Sequence, residues 1–99
     1  MTTLKTAQNE ILQLILKTSD KDTRNKLKQQ QKRLSAYQQD LINKNVDEAD
    51  DRYALVDKKL QVVVDRLKEA QEDIDKVIDI ITNITKAVDA VGRLVDAVA

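Results

Sequence analysis

Residues 46 to 98 can be written as eight successive heptads with no polar residue other than a tyrosine at any a or d position. Val46, Tyr53, Leu60, Leu67, Ile74, Ile81, Val88 and Val95 occupy a, and Ala49, Val56, Val63, Ala70, Val77, Ile84, Val91 and Val98 occupy d. A run this regular in a chain that is 34% charged predicts one long helix or two collinear ones. The 99 residues include no proline and a single glycine, Gly92, which lies too near the end to divide the run. Unbroken, such a helix would extend about 80 Å, so the expected molecule is elongated.

The first half predicts an opposing arm. Leu4, Ala7, Ile11 and Leu14 form one apolar stripe, and Leu27, Leu34 and Leu41 form a second with Tyr37 beside it. The two stripes are out of phase by two residues, and the slip falls at residues 18 to 23. That segment reads either as a stutter in one helix or as a short loop with Ser19 capping a second. Asn45 followed by Glu48 has the spacing of a capping box, and Asp47, Glu48, Asp50 and Asp51 crowd the first turns of the expected second arm. The main turn is therefore expected at Asn43-Lys44-Asn45. The fold class that follows is all-α: an elongated antiparallel helical hairpin with a long C-terminal heptad-repeat helix, and a kink or break near residues 18 to 22 that would make three helices. The chain reads as one helical domain over residues 1 to 99. Its N-terminal arm, 1 to 43, carries helices over about 3 to 17 and 21 to 43, and its C-terminal arm is 46 to 99. Antiparallel pairing would match positions whose numbers sum to about 91, setting Ile11 to Leu16 opposite Asp75 to Ile80.

Charge supports two distinct arms. The 17 basic and 17 acidic residues cancel overall. Residues 1 to 45 hold nine basic and four acidic side chains, whereas residues 46 to 99 hold eight and thirteen, so the halves carry +5 and −5. Opposite charge on two halves favours folding them together and disfavours parallel stacking of identical halves.

The absent residue types remove most chemistry. Without Cys or His there is no disulfide, no thiolate nucleophile, no imidazole base and no usual zinc or haem ligand set. Two tyrosines are the only aromatics. No catalytic residue, cofactor site or metal site is expected. The acidic clusters Asp47 to Asp51 and Glu69 to Asp75 lack the glycine and the alternation of a calcium loop. No segment approaches 18 uncharged apolar residues, and the first 20 residues carry no small-residue cleavage site, so neither a transmembrane segment nor a cleaved signal is expected. A cytoplasmic location is the default, with leaderless secretion left open.

Function is expected to lie in the C-terminal heptads. Ile74, Val77, Ile78, Ile81, Ile84, Val88, Val91, Leu94, Val95 and Val98 form a stripe wider than one helix seam can cover, and the last of them would extend past the end of the first arm. Exposed, they would form an interaction surface. β-Branched residues at most d positions disfavour a parallel dimer, so association into a bundle of at least four helices is expected. The partner would be a second copy of this chain or another helical protein, making the chain a non-catalytic structural or protein-interaction component. On this reading Ile81→Asp with Val88→Asp would dissociate the assembly. The alternative is a membrane-active amphipathic helix over residues 74 to 99, of pore-forming or secreted hairpin type. Its polar face is acidic on balance and lacks Trp or Phe, which makes a membrane the less favoured partner. The basic run Lys21 to Arg33 could follow phosphates, but it has no stacking aromatics, and nucleic acid is disfavoured.

Overall fold

The computed structural model describes residues 2 to 98. Four α-helices follow one another: α1 (Thr2–Lys17), α2 (Lys21–Asn43), α3 (Tyr53–Glu72) and α4 (Val77–Ala97), with one 3-10 turn at Ile74–Lys76 leading into α4. No strand occurs among the described residues. The all-α class holds and the helices pair as antiparallel hairpins, but each arm of the expected hairpin is itself folded back. One hairpin is α1–α2 and the other is α3–α4.

The hairpins pack face to face as a four-helix bundle in which α1 and α4 each lie against α2 and α3. Gln8 Nε2 donates to Gln38 Oε1 across α1–α2 at 3.3 Å. Across α1–α3, Gln61 donates to Thr3 Oγ1 and Lys17 donates to Gln71 Oε1. Across α2–α4, Arg33 is paired with Asp89 and Lys44 Nζ donates to the Val95 carbonyl at 2.7 Å. Residue numbers rise together in both of the latter pairs, so α1 runs parallel to α3 and α2 parallel to α4. The 44–52 connection therefore crosses the end of the bundle diagonally. The register expected from a single hairpin, with numbers summing to about 91, does not occur, because α1 and α4 are diagonal and not adjacent. The molecule measures 39 × 20 × 18 Å with a radius of gyration of 13.2 Å. It is half as long as the expected helix, and its radius is that of a compact domain of this size.

Local chemistry explains each reversal. The first lies within the expected break, and its cap is Asp20, not Ser19. The Asp20 carboxylate accepts from the Thr23 N–H at 2.9 Å and from its hydroxyl at 2.6 Å. A carboxylate at a helix N-terminus is held both by that N–H and by the helix dipole. The pKa of Asp20 is lowered by these two hydrogen bonds, side chain first, with a smaller contribution from Lys26. Thr18 closes α1 by donating its hydroxyl back to the Leu14 carbonyl at 2.6 Å.

At the second reversal Asn45 is not a helix start. It has φ 58°, the left-handed conformation that Asn tolerates better than most residues, and it ends α2. The Asn45 N–H donates to the Ile42 carbonyl and the Val46 N–H to the Leu41 carbonyl, which is the hydrogen-bond pattern of a Schellman motif. Val46, expected in the heptad seam, is buried as the apolar residue that such a motif places against the helix. Asp47 and Asp50 accept from the N–H two residues on, at Ala49 and Arg52, and so hold turns instead of a first helical turn. Helix α3 starts only at Tyr53, and Ala49 is left exposed.

The third reversal falls inside the heptad run. Asp73 is extended at φ −145° and ψ 98°, and its side chain accepts from the Asp75 N–H at 3.1 Å. The run keeps its seven-residue phase through this point, so α3 and α4 both present their a and d residues to the same core.

That core contains Leu4, Ile11 and Leu14 of α1, Leu27, Leu34 and Leu41 of α2, Leu60 and Leu67 of α3, and Ile84 of α4, all with no exposure to solvent. The two-residue slip between the stripes of the first arm has no cost, because each stripe belongs to its own helix. Gly92 is buried where α4 passes Tyr37 of α2, and a Cβ there would lie 2.8 Å from Tyr37 Cζ. Glycine in a helix interior is about 1 kcal/mol less favourable than alanine. Gly92→Ala should therefore stabilise the Tyr37→Ser protein by about 1 kcal/mol and give less than this, or a loss, in the presence of Tyr37. Urea denaturation of the four proteins of this cycle checks the coupling, and equal effects in both backgrounds would remove the close contact.

Candidate interaction surface

Most of the residues expected at an oligomer interface serve the chain's own core. Val77, Ile81, Ile84, Val88, Val91 and Val95 are buried. Ile74, Leu94 and Val98 are partly buried against the same core, while Ile78 is 56% exposed. The expectation that the end of the run extends past its partner arm is corrected, because folding back at Asp73 gives α4 two neighbours from its own chain. A stripe too wide for one seam is the stripe a bundle helix needs, one flank for each neighbour.

The basic run of α2 is divided in the same way. Thr23, Leu27 and Gln30 within it face inward. Arg33 donates to Gln30 Oε1 at 3.0 Å and is paired with Asp89 of α4. The acidic cluster Asp47 to Asp51 forms the turns already described, and Asp73 starts the second half of the heptad run. An acid placed just before an apolar run was a legible helix-start signal here. It was obscured because the heptad phase continued without interruption.

What the bundle leaves uncovered differs from the expected stripe. Leu12, Leu16, Ile42, Leu55, Val62 and Ile78 are the exposed large aliphatics. Leu55 and Val62, seven residues apart on α3, both line the outer seam between α3 and α4. Towards the end of the chain this seam is an open apolar groove where Leu55 faces Leu94, Ala97 and Val98, with Arg52 at its edge. It continues as a second groove in which Val62 faces Ala87 and Ala90, bordered by Lys59, Arg66 and Lys86. The α3 residues 55, 59, 62 and 66 and the α4 residues 83, 87, 90, 94 and 97 each follow helical spacing, which is why they align as two facing rows. Leu94 and Val98 of this surface belong to the expected stripe, but its α3 wall, Leu55 and Val62, was not legible from the heptads, since these residues lie outside the a and d positions.

Tyr53 is a separate feature. It is 3% exposed, and its hydroxyl has no hydrogen-bond partner. Burial foremost, then the negative charges of Asp57 and Glu48, pushes its pKa up to about 12. No helix of the described residues is long and apolar enough to cross a membrane. Comparison with protein-family models, with curated proteins and with solved structures finds no match.

Two outcomes follow. Ile81→Asp with Val88→Asp places two carboxylates in the core, each costing several kcal/mol against a total stability of about 5–15 kcal/mol. The variant should lose its helical circular-dichroism signal, and a helical dissociated species would contradict the packing. Tyr53→Phe removes an unpartnered buried hydroxyl and should be neutral or stabilising by about 1 kcal/mol. A tyrosine pKa raised by folding means stability falls as pH rises above the unfolded value near 10, towards the folded value of about 12. Thermal melts across that interval should show a loss in the natural protein that is reduced in Tyr53→Phe.

Proposed function

We propose that the chain is a non-catalytic structural or protein-interaction component, a self-sufficient four-helix bundle that meets its partners through the outer α3–α4 seam. The observation that carries this reading is the adjoining pair of open grooves with aliphatic side chains on both walls. Leu55 is 61% exposed and Val62 is 42% exposed in a molecule whose heptad core is otherwise covered. Contiguous apolar surface bordered by polar side chains marks sites of protein association.

Self-association through the α4 heptads is the second reading. It would take exchange of whole hairpins about the 44–52 connection, since the heptads face inward in the closed chain. The opposite charges of residues 1 to 45 and 46 to 99 favour such an exchange as well as the closed form. A membrane-surface role for residues 74 to 99 would require α4 to leave the core and uncover all three other helices.

Photo-cross-linking in cells tests the interaction reading. A photoreactive residue at position 55 or 62 should give discrete adducts identified by mass spectrometry, and one at the exposed position of Lys28 on α2 should not. Adducts with the chain itself would favour hairpin exchange, and no discrete adduct from the seam would overturn the reading.

A further inference from the structure

The α3–α4 groove has a chemical polarity that specifies its occupant more narrowly than apolarity alone. Its walls are aliphatic: Leu55 and Val62 from α3, and Ala87, Ala90, Leu94 and Val98 from α4. Its borders are cationic: Arg52 just before α3, Lys59 and Arg66 from α3, and Lys86 from α4. Among the described residues no carboxylate lines either part. Arg52 is paired with Asp50 and Arg66 with Glu69, while Lys59 and Lys86 make no ion pair among the described residues. Two cations without an ion pair, Lys59 and Lys86, therefore border the apolar surface, on the half of the sequence that is acidic overall.

Length and shape define the occupant further. From Leu55 to Arg66 the groove follows twelve residues of helix, a rise of about 17 Å or three turns. Ala87, Ala90 and Ala97 keep the α4 wall low, so a cylinder can approach closely between the two rows. Helices lie in such grooves with apolar anchors at i, i+3 or i+4 and i+7. A second copy related by a two-fold axis near Val62 would bring the cluster Lys59, Arg66 and Lys86 against that of its mate, which like-charge repulsion disfavours. A nucleic acid would meet aliphatic walls without a stacking aromatic.

We propose that the α3–α4 groove binds an amphipathic helix whose apolar face is flanked by Asp or Glu. The apolar face seats between Leu55 and Val62 on one side and Leu94 and Ala90 on the other, and the flanking carboxylates meet Lys59, Arg66 and Lys86. This rests on the interaction reading above and names the partner's chemistry.

A synthetic peptide of about 14 residues, enough for a helix of about 21 Å, tests it. It carries Leu at i, i+3, i+7 and i+10 and Glu at the flanking positions. Titrated into the isotopically labelled full chain, it should shift backbone amide resonances confined to residues 52–66 and 83–98, saturably. Lys59→Glu with Lys86→Glu should weaken binding about tenfold, and added salt should weaken it several-fold. Leu55→Ser with Val62→Ser alters only exposed side chains, so the bundle should persist while binding is lost. The proposal is overturned if the peptide leaves the spectrum unchanged or shifts residues elsewhere. It is equally overturned if a peptide with Lys in place of Glu binds as well, if single-stranded RNA produces the same shifts, or if the chain alone shows concentration-dependent shifts at these residues. Adducts from position 55 in cells, together with failure of the acidic peptide, would leave the interaction reading standing and remove this partner class alone.

Discussion

Helix α4 carries an apolar stripe wider than one neighbouring helix can cover, and the architecture follows from that constraint. In an isolated hairpin, two arms would shield a single narrow seam and leave the flanking Ile80, Ala87 and Leu94 to water. Folding each arm back on itself gives every helix two neighbours. The three side chains are then packed against the core from the flanks. Burying an aliphatic side chain contributes about 1.5–3 kcal/mol, so covering several flanks offsets the conformational cost of the two further turns.

The turns that make this possible use short polar side chains and no proline. Asp20 and Asp73 start helices by accepting backbone N–H groups, and Asn45 ends one by taking a left-handed conformation. Asp47 and Asp50 hold the diagonal connection, and Glu48 accepts from the Thr2 N–H, which ties that connection to the start of α1. Lys44 reaches from the same region to the Val95 carbonyl near the end of α4. One end of the bundle is thus closed by a polar network over the buried Val46, while the outer α3–α4 seam has no such cover.

That distinction bears on function. Most of the heptad residues that made the C-terminal half conspicuous are occupied inside the chain, where they contribute stability. The surface available to a partner is built from what borders them: Leu55 and Val62, the alanines of α4, and the cations between. A property of the assembled pair α3–α4 has replaced a property of one helix as the basis of the proposed interaction.

The sequence alone determined the all-α class, the apolar residues that face inward in each helix and the absence of thiol and imidazole chemistry, and it located a phase slip at residues 18 to 23 without deciding between a stutter and a break. These are local properties, set by periodicity and residue type. It also signalled the main turn at Asn43-Lys44-Asn45, where α2 does end, and it contained at Asp73 the signal of the third reversal, which periodicity could not reveal. A seven-residue repeat states which side chains face inward and is silent on whether the helix axis continues, because a chain that reverses in phase presents the same pattern. Only the tertiary structure decided that 46–98 folds back, that α1 lies beside α3 and diagonal to α4, and that the open groove lies between rows 55–66 and 83–97. Each depends on which helices become neighbours, and that choice is made by the total apolar surface the chain can cover at once.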